Sequence, residues 1–410
     1  MTDASGPICR SCGQPDLSPI LSLGITPLAD RLVAEEDLSR EEIFAPLDLV
    51  LCPACSLVQI TETVAPEILF HEDYPYFSSV SSTLLDHSRI NAEELIESRR
   101  LGPSSLVIEI GSNDGYMLRN FVAHGIPVLG VDPALPPAQA AIAAGIPTRI
   151  EFFGESVAAE LAAEGQNADL IIANNVLAHV ADLNGLVAGI ATLLKPKGIA
   201  VLEFPYLADL VDRCEFDTIY HQHLCYFSVT AVDRLFRRHG LIVTNVRRLP
   251  IHGGSLRIYV QHDGPQSGTV LELLDSEDKR GLTKPGGLEG FANSVREVRE
   301  QLTALLRDLK QKGNSIVAYG AAAKGTTLLA YCDIDSATLD YVVDRSPFKQ
   351  GRYMPGNHLA ILPPERLVED HPDYVLLLPW NLADEILKEQ TEYRSAGGKF
   401  IVPIPRPHVL

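Results

Sequence analysis

No run of about 18 apolar residues occurs in this 410-residue chain, so no membrane-crossing helix is expected. Nor is there a run of basic residues. Lysine and arginine number 34 against 53 aspartates and glutamates, a formal net charge of −19. That balance excludes a protein that grips nucleic acid with a broad positive face. Acidity of this size favours solubility and says little about small ligands, whose pockets can be locally basic. The opening residues, MTDASGPICR, show neither the charged head nor the apolar stretch of a secretory leader, so the expected compartment is the cytoplasm. Cysteine is scarce, at seven residues. In a reducing compartment such cysteines are thiols or metal ligands rather than disulfides. No sustained heptad and no obvious sticky strand appear, and a monomer is the expectation.

Two glycine signatures are also missing. G-x-G-x-x-G, the dinucleotide fingerprint, is absent, which disfavours an NAD-dependent oxidoreductase. G-K-[ST] is absent too: "GAAAKGTT" runs Lys324-Gly325-Thr326, so it is not a P-loop.

What is present is ordinary globular composition, 46% hydrophobic and 21% charged, in a chain too long for one compact core. Near the start, "CRSC" places Cys9 and Cys12, and "CPAC" places Cys52 and Cys55. C-x2-C repeated twice suits tetrahedral zinc, with free or redox thiols as the competing reading. Four cysteines fill the metal's shell, so such a zinc would be structural. "FHEDYPYFSSVSS", which contains Tyr76, reads as a loop entering a helix. From Leu106 strands and helices alternate, as expected of a parallel sheet covered on both faces. "LIVTNVRRLPIHGGSLRIYVQ" reads as two strands joined across a Gly-Gly turn, which is either a plain hairpin or a ligand contact. A polar helical connector follows, clearest in "FANSVREVREQLTALLRDL". A second α/β unit then echoes the first: strand, small-residue turn, helix, strand ending in Asp.

"VIEIGSNDG" offers Glu109, Gly111, Asn113, Asp114 and Gly115 at one strand tip. Gly111 permits a sharp turn and close approach of a ligand. Asp132, about twenty residues on in "GVDP", is placed to accept hydrogen bonds from ribose hydroxyls. Phe152 and Phe153 in "RIEFF" could stack an adenine, and Asn174 and Asn175 close a further strand. Each alone reads as a turn or surface residue. Together, at the carboxyl ends of strands, they indicate an adenosyl ligand. The missing second fingerprint glycine favours S-adenosylmethionine, which has no pyrophosphate.

"YHQHLCYFS" holds His221 and His223 two residues apart. On an extended strand both would point to one face, giving either a metal pair or one catalytic imidazole beside a bystander. No third ligand is evident. A histidine in an α/β core is also more often structural than catalytic, and Cys225 reads as packing.

The four-cysteine leader, "EIGSNDG", "YHQHLCYFS", "HGGSLR" and "AYGAAAKG" follow one another in an order that resembles the C-methyltransferases of bacterial deoxysugar pathways, over essentially the whole chain. The resemblance implies an α/β protein in three parts. These are a four-cysteine zinc domain at 1–70, a class I methyltransferase Rossmann-like domain at 71–265, and a second Rossmann-like domain at 266–410 that includes the helical linker. It implies S-adenosylmethionine and structural zinc as cofactors, and a nucleotide-linked 4-keto-6-deoxysugar, usually thymidine-diphosphate-linked, as substrate. Methylating a carbon next to a ketone needs a base working near neutral pH and a donor for the enolate oxygen. Matching the family's Tyr-x-Glu-His to "YHQH" assigns the base to His223 and the donor to Tyr220. Gln222 stands at the glutamate position. His179 resembles a family active-site histidine, and Tyr76 a tyrosine that closes over substrate; Tyr76 also has a packing reading. The nucleotide-sugar is expected between the second and third parts. There the turn after "SIVAY", with Lys324 and Thr326, offers N–H groups and charge to a diphosphate, and Lys349 and Arg352 add to it. Two other readings remain open at this point: an O- or N-methyltransferase on the same fold, or a non-catalytic nucleotide-sugar-binding partner.

Overall fold

The computed structural model describes residues 6–69 and 77–410. It is an α/β protein with three sheets. The first begins as an antiparallel meander of β1 (Ser18–Pro27), β2 (Phe44–Leu51) and β3 (Val58–Ile60). The second contains β4 (Val107–Ile110), β5 (Val128–Val131), β6 (Thr148–Arg149), β7 (Ala168–Asn174) and β8 (Leu194–Pro205). The next strand, β9 (Cys225–Tyr226), leaves this sheet and pairs with β3 as the fourth strand of the first. The antiparallel pair β10 (Ile242–Leu249) and β11 (Ser255–Gln261) then completes the second sheet. Its order is β10-β11-β8-β7-β4-β5-β6, and only β11 runs against its neighbours. The third sheet has the order β14-β13-β12-β15-β16-β17, with β12 (Ile316–Tyr319), β13 (Val342–Val343), β14 (Ile361–Leu362), β15 (Tyr374–Leu377), β16 (Lys399–Val402) and β17 (His408–Val409).

The strands form where apolar residues run almost unbroken. "VIEI" and "VLGV" are buried along their whole length, as strands covered on both faces must be. Successive residues point to opposite faces. Ile108 and Ile110 of β4, Ala200 and Leu202 of β8, and Ile316 and Ala318 of β12 all enter one continuous apolar cluster that also contains Cys9, Cys52 and Cys55. The alternate residues Val107 and Val201 cover the outer face of the second sheet, and Val317 and Tyr319 that of the third. Helix Glu289–Gln311 buries Phe291, Ala292, Val295, Val298, Leu302, Leu306 and Leu309 on one stripe in the shared cluster. The polar connector is thus two helices, Gly268–Lys279 and Glu289–Gln311.

Each α/β sheet reverses direction once, between β4 and β7 and between β12 and β15. Ligands bind outside the strand tips at such a reversal. The two tips match closely. Gly111 N–H donates to Val131 O (2.8 Å) and Gly320 N–H to Val343 O (2.7 Å). Asp132 accepts from Asn113 N and Ala134 N, both at 2.8 Å. Asp344 accepts from Ala321 N and Ser346 N, also both at 2.8 Å. The echo seen in sequence extends to individual hydrogen bonds.

One buried carboxylate ties the connector to the second sheet. Glu277 is fully buried and accepts from Tyr206 Oη (2.8 Å), Val229 N (2.7 Å), Thr230 N (2.9 Å) and Thr230 Oγ1 (2.6 Å). It neutralises the open N–H groups that start helix Val229–Arg238. Removing it strands several buried donors. Glu277→Ala should lower the unfolding free energy by about 2–4 kcal/mol, read from denaturant melts followed by circular dichroism.

Candidate active site and four-cysteine centre

The two C-x2-C turns are built alike. Gly13 N–H donates to Cys9 O (2.9 Å) and Ser56 N–H to Cys52 O (2.8 Å). The residue after each second cysteine is left-handed, Gly13 at φ +74° and Ser56 at φ +65°. The four Sγ atoms lie within 4.8 Å of one another, with Cys9–Cys55 at 3.4 Å and Cys12–Cys52 at 3.5 Å. A zinc with bonds of about 2.3 Å spans tetrahedral edges of about 3.8 Å, so the set fits. Burial pushes the Cys52 thiol up to about 11, and a central cation is what would hold such buried groups as thiolates. Arg10, inside the first turn, reaches Ile60 O, Glu62 O and Thr63 Oγ1, fastening the turn to the end of β3.

The residues expected to hold the cofactor lie around the reversal between β4 and β7. Gly111 is left-handed at φ +67°, and a Cβ there would meet Val176 Cγ2 at 2.5 Å. Asn113 Oδ1 accepts from Ser78 N (2.8 Å) and Asp114 Oδ2 from Ser79 N (3.2 Å), which lays the segment after Tyr76 over this tip. Tyr76 itself lies outside the described residues. Glu109 is fully buried, and neither of its oxygens accepts a hydrogen bond among the described residues. Burial, then the like charges of Asp132 and Asp114, hold its carboxyl well above the usual range. Burial likewise raises Asp132. A cationic ligand such as a sulfonium with its ammonium group would offset that burial and favour the charged carboxylates, which a pyrophosphate would not. Asn175 is left-handed and donates from its N–H to Glu203 O (2.7 Å), and Asn174 Oδ1 is buried with no partner among the described residues. Gly115 is left-handed at φ +76° and closes against Ile146. Phe153 packs its ring against Gly189, and Phe152 is the exposed member of the pair.

The histidine pair does not lie on a strand. Tyr220 to His223 form a turn, closed by His223 N–H to Tyr220 O (2.8 Å). The shared-face geometry of an extended chain is therefore lost. His221 is wholly buried and turns to Pro46 O in β2 (3.2 Å), making it the structural bystander. His223 is half-buried and lines a small pocket with Ala178, Tyr206 and Tyr226. Its Nδ1 lies 2.8 Å from Thr218 O, and a carbonyl only accepts, so Nδ1 carries the proton. Its Nε2 faces Tyr220 Oη at 2.9 Å. His179 stands beside it, ring centroids 4.8 Å apart, with Nδ1 donating to Gln222 O (2.8 Å). Burial drives His179 down to about 4, so it is neutral at pH 7. Gln222 is buried, with its Oε1 accepting nothing among the described residues. Leu224 N–H donates to Ala178 O (2.7 Å), joining this turn to the chain that leaves β7.

The remaining candidates divide. Lys324 Nζ donates to Asn381 Oδ1 (3.1 Å), lies 3.8 Å from Asp217, and sits 4.2 Å from the centroid of the Trp380 ring. Lys349 Nζ donates to Ala321 O (2.7 Å), and Arg352 lies half-buried near it. Thr326 is not where a ligand could use it: its buried hydroxyl donates to Ala29 O (3.0 Å), a contact between the first and third sheets' units. The Gly-Gly turn joins β10 and β11 through a short helical turn, Ile251–Gly253. Gly253 and Gly254 are left-handed, and a Cβ on either would strike the carboxylates of Glu215 and Asp209. Arg257 pairs with Glu203 (2.6 Å) in the interior, so its role in "HGGSLR" is structural. Thr218, Asp217, Trp380 and the Glu203–His87 pair (2.8 Å) escaped the sequence reading. The acids of "EFD" just before "TIYHQH" were the one signal in the sequence.

A parallel sheet with its reversal at Gly111, an anionic strand tip and an adjoining imidazole pair define an S-adenosylmethionine-dependent methyltransferase. Comparison with known proteins agrees. Family models match at residues 9–70 (a zinc binding domain), 89–246 (a methyltransferase domain) and 250–405 (a C-methyltransferase C-terminal domain). C-methyltransferase NovU of Streptomyces niveus is 36% identical over 415 residues, covering 100% of this chain and 99% of that protein. A ubiquinone biosynthesis O-methyltransferase of Burkholderia mallei is 24% identical over 39% of this chain and 75% of its own. Among solved structures, 1,6-didemethyltoxoflavin-N1-methyltransferase of Burkholderia thailandensis is similar at 17% identity and a TM-score of 0.37, covering 50% of this chain and 95% of that one. The chain belongs to the C-methyltransferase family that includes NovU. It is an S-adenosylmethionine-dependent enzyme with a structural four-cysteine zinc centre. Family membership sets aside the non-catalytic reading and selects carbon as the methyl acceptor over oxygen or nitrogen.

Two outcomes follow. Elemental analysis should find one zinc per chain, and Cys55→Ser should lose it and melt at lower temperature. His179 binds a proton more readily unfolded, near 6.5, than folded, at about 4. The stability tied to it is complete above pH 6.5 and drains away as the pH falls towards 4. Across that window the wild-type melting temperature should fall more steeply than that of His179→Gln.

Proposed function

We propose that the enzyme methylates the carbon next to the ketone of a nucleotide-linked 4-keto-6-deoxysugar, with His223 as the base. The observation that carries this reading is the line Thr218 O···H–Nδ1 of His223, with Nε2 turned to Tyr220 Oη. It leaves a neutral imidazole whose unprotonated Nε2 accepts from the Tyr220 hydroxyl; when that hydroxyl turns to a substrate oxygen, Nε2 is released to take a proton from a weakly acidic C–H near neutral pH. The proton drawn from carbon ends on Nε2, and the Tyr220 hydroxyl is placed to donate to the enolate oxygen.

His179 takes the part of an acceptor. Its Nδ1–H is committed to Gln222 O and it stays neutral, so Nε2 orients a sugar hydroxyl rather than stabilising an oxyanion. Gln222 adds a second neutral acceptor, suited to a hydroxyl or amine on the sugar. Glu109, Gly111, Asn113, Asp114, Gly115, Asp132, Asn174 and Asn175 hold S-adenosylmethionine, with Phe153 beside the adenine. When bound, that cofactor supplies the electrophilic methyl group. Lys324, Lys349 and Arg352 lie at the strand tips of the third sheet and hold the diphosphate by charge. In this reading residues 1–70 form the zinc unit, 71–265 the methyl-transfer unit and 266–410 the nucleotide-sugar unit.

Mass spectrometry of reactions containing S-adenosylmethionine and thymidine-diphosphate 4-keto-6-deoxysugars should show a gain of one methyl group. His223→Ala should lower the rate by about 100-fold or more. NMR of the product should show a new carbon–carbon bond. No gain on any such sugar, with the cofactor bound, would reject the substrate class.

A further inference from the structure

The carbonyl that orients His223 sits on a short turn, Phe216–Thr218, that the C-terminal unit grips from its far side. Phe216 packs edge-on to Tyr331 with centroids 5.3 Å apart. Thr327 Oγ1 donates to Ile219 O (3.0 Å). Between them Asp217 is wholly buried, and its Oδ2 accepts from Trp380 Nε1 at 2.7 Å. Lys324 balances the charge, 3.8 Å from Asp217 and stacked over the Trp380 ring. Phe216, Asp217 and Ile219 are thus held by one unit, while Thr218, in their midst, faces back to the imidazole.

We propose that Asp217 and Trp380 are positioning residues for the base: the hydrogen bond between them fixes the turn whose Thr218 carbonyl keeps the His223 proton on Nδ1 and Nε2 towards substrate. The proposal rests on the reading of His223 as the base. Three arguments support it. A buried carboxylate is an expensive way to fill space, and an apolar side chain would seat the two units at less cost. The bond is directional, unlike the packing of Phe216 on Tyr331, so it sets the rotation of the turn and not only its depth. The distance to the chemistry is also short, since Asp217 and Thr218 are adjacent and Thr218 O lies 2.8 Å from Nδ1.

The test uses full-length protein labelled with 15N at histidine. The His223 ring signals are identified by their loss in His223→Asn. In the wild type they should report a single Nδ1–H tautomer. Trp380→Phe keeps the ring under Lys324 and removes only the N–H. In it, and in Asp217→Ala, both tautomers should appear. On a sugar that the wild type methylates, kcat should fall about 10-fold or more at unchanged KM for S-adenosylmethionine. Asp217→Asn, whose amide oxygen still accepts from Trp380, should restore both readouts. A single wild-type tautomer, or wild-type kcat, in both Trp380→Phe and Asp217→Ala would overturn the proposal. The base reading is judged separately by turnover of His223→Ala: activity there rejects the base, whatever the tautomer signals show.

Discussion

Removal of apolar surface from water, across three sheets at once, is the interaction on which the rest of this molecule depends. Alternate residues of β4, β8 and β12 enter the same cluster as the buried cysteines. The sheets therefore do not hang on linkers. Each leans one face on a mass that the others share. This is the condition for holding side chains drawn from different parts of the chain in one fixed geometry.

The strand tips of the second and third sheets differ in charge. The methyl-transfer side is acidic, with Glu109, Asp114 and Asp132 at one strand tip. Beside the tips of the third sheet lie Lys324 and Lys349. An acidic tip favours a cationic cofactor by charge before any specific contact forms. The two strand tips are near copies in their hydrogen bonding, with an aspartate accepting two backbone N–H groups in each. Their surroundings differ in charge because the neighbours of the aspartates differ: Lys349 lies 3.7 Å from Asp344, whereas Asp132 has Asp114 nearby.

Local patterns carried much of this in the sequence. The unbroken apolar runs, the paired C-x2-C turns and the Gly111–Asp132 spacing each depend on residues close in the chain or on a fixed secondary-structure period, and all can be read along one dimension. The histidine segment could be read only in part. Extended-strand spacing put His221 and His223 on one face, but the backbone turns at Tyr220–His223 and separates them. Thr326 looked like a phosphate ligand because a hydroxyl after a small-residue turn often is one; its partner, Ala29, is almost 300 positions away. Thr218 acts through its carbonyl, which no side-chain pattern announces. Trp380 acts on Asp217 from 163 positions downstream. What escaped the sequence is thus contact across units and chemistry done by the backbone.

The pairing of β9 with β3 bears on how far this enzyme can be taken apart. The two residues of β9 begin just after Leu224, so the strand that anchors the Tyr220–His223 turn completes the sheet of the four-cysteine unit. A methyl-transfer domain cut out alone would leave this strand without its neighbour and the turn without its footing. Exchange between relatives has to respect the same seam. A chimera that borrows the first seventy residues from one protein and the segment around 215–228 from another asks two halves of a single sheet to match, although they lie far apart in the gene. The natural unit of recombination here is that sheet, and it is not a contiguous stretch of sequence.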